Sequence, residues 1–147
     1  MKKVVFCWEL GGNYGHITSF LPFYRELVKA GLQVDFVLRD LGFAHQLLGD
    51  TGVRYFQAPL PKDELNVAIN TYTYTDLLAQ IGYLDSDRLI SYVSGWRDLF
   101  LIFEADIIIA DHAPTALLAA RALGLPSAMF GSGFLIPPRQ NPMPVFP

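Results

Sequence analysis

The sequence is short of cysteine, of charge and of long apolar runs, and each shortage excludes a class of protein. The single cysteine, Cys7, rules out an internal disulfide framework and suits a reducing compartment. Set inside a continuously apolar stretch, it reads as a small buried residue rather than a nucleophile. Charged residues make up only 17% of the chain, the formal net charge is −3, and no basic run or stripe occurs. The chain therefore lacks the electrostatic footprint of a nucleic-acid binder. Nowhere do ~18 apolar residues follow one another, so no membrane span is expected. Lys2-Lys3 and the apolar residues behind them do not make a signal peptide, because Glu9 interrupts the stretch and no small-residue cleavage site follows. The expected location is cytoplasmic. No cluster has the spacing of a metal site, and His45 has no acidic or cysteine partner nearby.

What the sequence has in plenty is hydrophobic residues, 52% of 147, enough for one domain with a real core. The pattern is clearest at the start. Val4 to Trp8 is an unbroken apolar run of the kind found in strands buried on both faces. Ile17, Phe20, Leu21, Tyr24, Leu27 and Val28 then recur at helical spacing, and Gly31 supplies a stop. Between strand and helix lies Gly11-Gly12-Asn13-Tyr14-Gly15-His16. A turn at the carboxyl end of a first parallel strand is where a ligand sits in such folds. Glycines there let it approach the backbone, and the helix start offers partial positive charge. His16, directly after the last glycine, has the side chain best suited to act as a base near neutrality.

Further along, Leu32–Leu38 reads as a second strand, Leu41–Leu48 as a short helix and Val53–Ala58 as a third strand. An irregular connection opens at Pro59 and runs to about Thr71. It leads past Tyr72 and Tyr74, which suit either a pocket lining or plain packing, into a helix expected from Asp76 to Tyr83. Ser86 is placed to cap a long helix ending near Glu104, with Leu89, Ile90, Val93, Trp96, Leu99 and Phe103 along its core side. Ile107–Ala110 is a fourth strand closed by Asp111-His112, Pro114 opens a further helix that stops at Gly124, and Ser127–Phe130 is a fifth strand. If Thr18 or Ser19 caps the first helix, Pro22 falls in its first turn; otherwise the helix is kinked there. Residues 136–147, rich in proline, read as an extended tail or linker that does not return to the domain of residues 1–135.

Strands alternating with helices make an α/β fold, a doubly wound parallel sheet of order 3-2-1-4-5. The winding reverses between the first and fourth strands, so His16 and Asp111 face one crevice although nearly a hundred positions separate them. A carboxylate beside an imidazole fixes its tautomer and stabilises the imidazolium once a proton is taken. His112 adjoins the same strand end and reads as a cap or surface residue. A second reading of the pattern is a Rossmann-type NAD(P)- or nucleotide-binding regulatory module, with Asp40 on a ribose and Arg39 near a 2′-phosphate. Against it, Leu10 stands where the first glycine of that fingerprint belongs, and a histidine after the last glycine is no part of it.

The run Gly12-Asn13-Tyr14-Gly15-His16, the helix after it, Lys29-Ala30-Gly31 and Val34-Asp35-Phe36 together resemble the start of two-domain (GT-B) glycosyltransferases. The nearest group is UDP-glycosyltransferases acting on small acceptors, including bacterial relatives of macrolide glycosyltransferases. Ala105 to Ala116, then Leu123-Gly124, Pro126 and Gly131-Ser132-Gly133-Phe134, resemble the later part of the same N-terminal domain. The resemblance implies that His16 deprotonates an acceptor hydroxyl, that Asp111 steadies it, and that the sugar is transferred with inversion. It implies that Gly12, Asn13 and Gly15 line the acceptor and donor site and that Ser132 touches the donor sugar. It implies no metal and no cofactor, the nucleotide-sugar co-substrate (a UDP-sugar) being held mainly by a second domain. The expected partners are a small-molecule acceptor and a C-terminal donor-binding domain or partner chain, without which the chain is inactive, and a homodimer is the simplest self-association. One departure is that the family's proline three residues after the histidine is Ser19 here, with proline later at Pro22. A changed helix start is expected from it.

Overall fold

A computed structural model of the chain describes residues 1–60 and 70–146. Five strands, β1 (Lys3–Trp8), β2 (Gln33–Leu38), β3 (Tyr55–Gln57), β4 (Ile107–Asp111) and β5 (Ser127–Phe130), form one sheet. Its order is β3-β2-β1-β4-β5 with every pairing parallel, the expected topology. The helices are α1 (Gly15–Lys29), α2 (Ala44–Leu48), α3 (Tyr74–Leu78), α4 (Ser86–Phe103) and α5 (Pro114–Ala122).

Because side chains alternate across a strand, β1 divides the core in two. Val4, Phe6 and Trp8 face α1 and α2, in a cluster with Ile17, Phe20, Tyr24, Phe36 and Leu48. Val5 and Cys7 face α4 and α5, with Trp96, Phe100, Phe103 and the small residues Ala116, Ala119 and Ala120. Aromatic stacking orders the first cluster: the Phe6 and Phe20 ring centroids lie 4.0 Å apart and nearly parallel, with Phe36 at 5.3 Å from Phe6. The break in the apolar run of β2, Asp35, is buried yet satisfied, since Arg54 donates to its two oxygens at 2.8 and 2.7 Å.

Several sequence expectations shift. Helix α1 begins at Gly15, not after Thr18 or Ser19, and Pro22 lies in its interior. The Asn13 side chain accepts the Gly15 N–H at 2.9 Å and so starts the helix early, while Ser19 Oγ donates back to the Gly15 carbonyl. Helix α3 begins at Tyr74, two residues ahead of Asp76, because Thr73 and Asp76 form a reciprocal capping box. A π-helical turn, Ala79–Tyr83, follows, broken at Gly82 (φ 105°). The cap of α4 is Asp85, whose carboxylate accepts the N–H groups of Asp87 and Arg88, and not Ser86. Ile90 of the expected apolar stripe is exposed, and Phe100 takes the buried place. The irregular connection after Pro59 falls largely on positions 61–69, outside the described residues.

The proline-rich tail also departs from expectation, for it does return. Val145 forms an antiparallel bridge with Thr73, and Phe146 donates its N–H to the Tyr72 carbonyl at 2.7 Å. Proline lacks a donor but Val145 and Phe146 keep theirs, which suffices for a short edge contact. Among the described residues no helix is long and apolar enough to cross a membrane.

The interior position of Pro22 yields a test of this helix. An alanine there restores the N–H that Thr18 lacks as a donor and removes the clash of the ring with the preceding turn. Pro22→Ala is expected to stabilise the fold by about 1–3 kcal/mol in urea titration. An unchanged or lowered midpoint would show that the helix has absorbed the proline without cost.

Candidate functional site

Register decides which side chains meet at the carboxyl ends of the strands. Trp8 pairs with Asp111, so both project to the face covered by α1. His16, in the first turn of α1, is thereby brought to Asp111: Nδ1 of the imidazole lies 3.0 Å from Oδ2 of the carboxylate. Asp111 is buried and His16 nearly so. The Trp8 indole stacks on the His16 ring at 5.1 Å and 21°, and is itself fixed by its Nε1–H donating to the Leu10 carbonyl at 2.7 Å. His16 is thus held by a carboxylate at one nitrogen and an indole on its face. That leaves Nε2 for chemistry outside the protein.

Nε2 points at the glycine turn. A methyl group on Gly11 would lie 2.6 Å from it, and Gly11 sits at φ 89°. Only glycine serves at this position, for both reasons. Gly12, the residue singled out in the sequence, has open space around its would-be Cβ. At Gly15 a Cβ would meet Asn13 Oδ1 at 2.6 Å, so a side chain there would displace the Asn13 amide. Asn13 spends that oxygen on the helix start. Gly12, Asn13, Gly15 and Ser132 nonetheless line the same open cavity as His16, of about 720 Å³.

The next residue after Trp8 faces the opposite way. Glu9, after Trp8, is 2% exposed and accepts the N–H of Thr115 at 2.9 Å. It therefore caps α5, whose own N-cap residue, Ala113, has no capping side chain. Leu10 donates its N–H to the His112 carbonyl at 2.9 Å. The Leu10 bond ties the end of β1 to the end of β4 and the Glu9 bond ties it to α5, which together hold the distance between His16 and Asp111.

His112 is not the surface residue that the sequence suggests. It is buried, its backbone is left-handed (φ 46°), and neither ring nitrogen has a partner among the described residues. Burial, with the nearby His16, depresses its pKa to about 4, so the ring is neutral at neutral pH. Its centroid stands 6.4 Å from that of His16, and it is covered by Tyr74 and Phe134. Sequence reasoning also passed over Trp8, Glu9 and Gly11. The one available signal was Glu9, a charge inside an apolar strand. Tyr74 is buried and Tyr72 exposed. Asp40, the acid of the dinucleotide reading, accepts Tyr14 Oη–H and the Gly42 N–H, each at 2.7 Å. Among the described residues no group of three or more His, Cys, Asp or Glu is arranged to hold a metal.

Glu9 makes the site's stability depend on pH. Burial pushes its carboxyl up to about 7 against the lowering pull of the α5 N–H groups and Arg39. The folded chain holds this proton more tightly than the unfolded one, so the contribution is full below pH 4.5 and is lost as pH rises through about 7. Glu9→Gln, neutral throughout, should remove that slope and exceed the parent above neutrality by about 3 kcal/mol. Denaturant titrations of both proteins at about pH 5 and pH 8 check this. A difference between them that does not change with pH would contradict it.

No family model and no curated protein matches the chain. Solved structures do. The chain is similar to MurG of Acinetobacter baumannii with a TM-score of 0.60 and 20% identity, over 88% of this chain and 35% of that one. It is similar to SsfS6, a glycosyltransferase of Streptomyces sp. SF2575, at 0.59 and 15%, over 88% and 39%. A UDP-glucosyltransferase of Polygonum tinctorium capable of glucosylating indoxyl matches at 0.59 and 19%, over 90% and 30%. The chain spans about a third of the length of these structures. Over that span it has a Rossmann-like α/β fold of the kind found in these glycosyltransferases.

Proposed function

We propose that residues 1–135 are the acceptor-side part of an inverting glycosyltransferase, and that this part is inactive without a donor-holding domain or partner chain. The observation that carries the reading is the pairing of His16 Nδ1 with Asp111 Oδ2 at 3.0 Å, beside an open cavity at the strand ends. The fold shared with glycosyltransferases supports it.

In this reading Asp111 accepts the Nδ1 proton of His16 and leaves the Nε2 lone pair bare. A small acceptor molecule enters past Gly11 and presents a hydroxyl to Nε2. As the hydroxyl oxygen attacks the anomeric carbon of the nucleotide sugar, its proton passes to Nε2 and the nucleoside diphosphate leaves from the opposite face, which inverts the configuration. The imidazolium so formed is stabilised by the Asp111 carboxylate and held in place by Trp8. Ser132, on the cavity rim, reaches the donor sugar. Gly12, Asn13 and Gly15 form the floor under the two substrates. No resident cofactor or metal is needed, because the base is the imidazole and the leaving group is already activated. The dinucleotide alternative has less to stand on, since both Asp40 oxygens are engaged within the protein.

Removing the base tests the assignment. In the full-length enzyme containing this chain, His16→Ala is expected to lower kcat by about 10²–10⁴-fold. Turnover close to that of the parent would sink the role given to His16.

A further inference from the structure

The proposed mechanism leaves His112 unused, although the protein keeps it at a cost. It is 5% exposed, and both ring nitrogens lack partners among the described residues. Burying an unpaired donor and acceptor opposes folding. The left-handed backbone, φ 46°, adds a further cost, since residues other than glycine are uncommon there. Such costs collect where binding or chemistry repays them.

The position of His112 says what it can bind. It lines the same cavity as His16, and the two imidazoles converge on the hollow beside Gly11. A methyl on Gly11 would lie 2.6 Å from His16 Nε2 and 3.6 Å from His112 Nδ1. The two nitrogens are therefore no more than about 6 Å apart, close enough for two oxygens on neighbouring carbons to reach one each through hydrogen bonds of about 2.8 Å. One oxygen shared by both rings fits the chemistry less well. A hydrogen bond from His112 to the attacking oxygen would withdraw the electron density that attack requires.

The other side of His112 is apolar. Phe134 meets its ring edge-on at 5.5 Å. Phe134 also lines an adjoining cavity of about 260 Å³, with Tyr74, Pro137, Pro138, Met143 and Phe146 among its walls. It is 50% exposed and lies in a short 3₁₀ turn (Gly133–Leu135) preceded by Gly131 at φ 128°, with Gly133 itself at 59°.

We propose that His16 and His112 together grip an acceptor bearing two hydroxyls on adjacent carbons of a flat apolar ring system. The reacting hydroxyl sits on His16 Nε2 and its neighbour on His112. The ring body lies along Phe134, Phe146 and the prolines. A hydroxyl both donates and accepts, so it pairs with the His112 nitrogen it meets in either tautomer. Phe134 shields the His112 nitrogens in this structure and gives way as the second hydroxyl enters. The inference rests on the acceptor-site reading above.

The test uses the full 147-residue chain and two probes, 2,3-dihydroxynaphthalene and 2-naphthol. They share one bicyclic body and differ by a single adjacent hydroxyl. Calorimetric titration is expected to show the diol bound about tenfold more tightly. The imidazole ¹⁵N resonances of His112 should move with the diol alone. His112→Phe keeps a ring and removes the orphan nitrogens, so it should leave 2-naphthol binding as it was and abolish the preference. His112→Asn tolerates the positive φ and keeps a donor and an acceptor, so part of the preference should return. Equal binding of the two probes, or a preference that survives His112→Phe, overturns this proposal and leaves the acceptor-site reading standing. Binding of neither probe overturns both.

Discussion

The arrangement of this molecule depends on the parallel register of β1 against β4. Trp8 stands opposite Asp111, and the strict alternation of side chains then assigns every residue at the strand ends to a side. Trp8 and Asp111 face α1 and meet His16; Glu9 faces α5 and caps it. A slip of one residue would exchange these roles, turning the carboxylate of Asp111 toward α5 and an alanine toward the imidazole. The register is held by the two-sided burial of β1, by the Glu9 cap and by the Leu10 to His112 bond. The same contacts that make the fold therefore set the distance on which its chemistry would rest.

Buried polar groups concentrate at this one end of the sheet, and they are unequal in how well they are satisfied. Glu9 has its Thr115 N–H, and Asp111 has His16 on one oxygen, while its other oxygen and both nitrogens of His112 have no protein partner among the described residues. Elsewhere the buried charge of Asp35 is fully paired with Arg54.

Much of this was legible in the sequence because it rests on local pattern. The apolar runs of β1 and β4, the helical spacing after His16 and the glycine stops specify strands, helices and a parallel sheet, and the topology brings His16 and Asp111 to one crevice. What was not legible rests on geometry that no residue type announces. Gly11 matters because of where His16 Nε2 points, which depends on the early helix start set by Asn13. His112 reads as a cap or surface residue, yet Tyr74 and Phe134, distant from it in sequence, cover it. The tail's prolines forbid regular structure without forbidding a two-residue contact with Thr73 and Tyr72, and that contact is invisible to periodicity.

The central claim is that Asp111 fixes His16 with a proton on Nδ1 and a bare Nε2 facing the cavity. The ¹⁵N and ¹H spectrum of the neutral His16 ring reads this tautomer directly. The account requires a protonated Nδ1, with its proton shifted downfield by the carboxylate, and a switch toward the Nε2–H form in Asp111→Asn. A parent protein in which the neutral ring carries its proton on Nε2 would contradict the account, since that nitrogen could then accept no proton from a substrate.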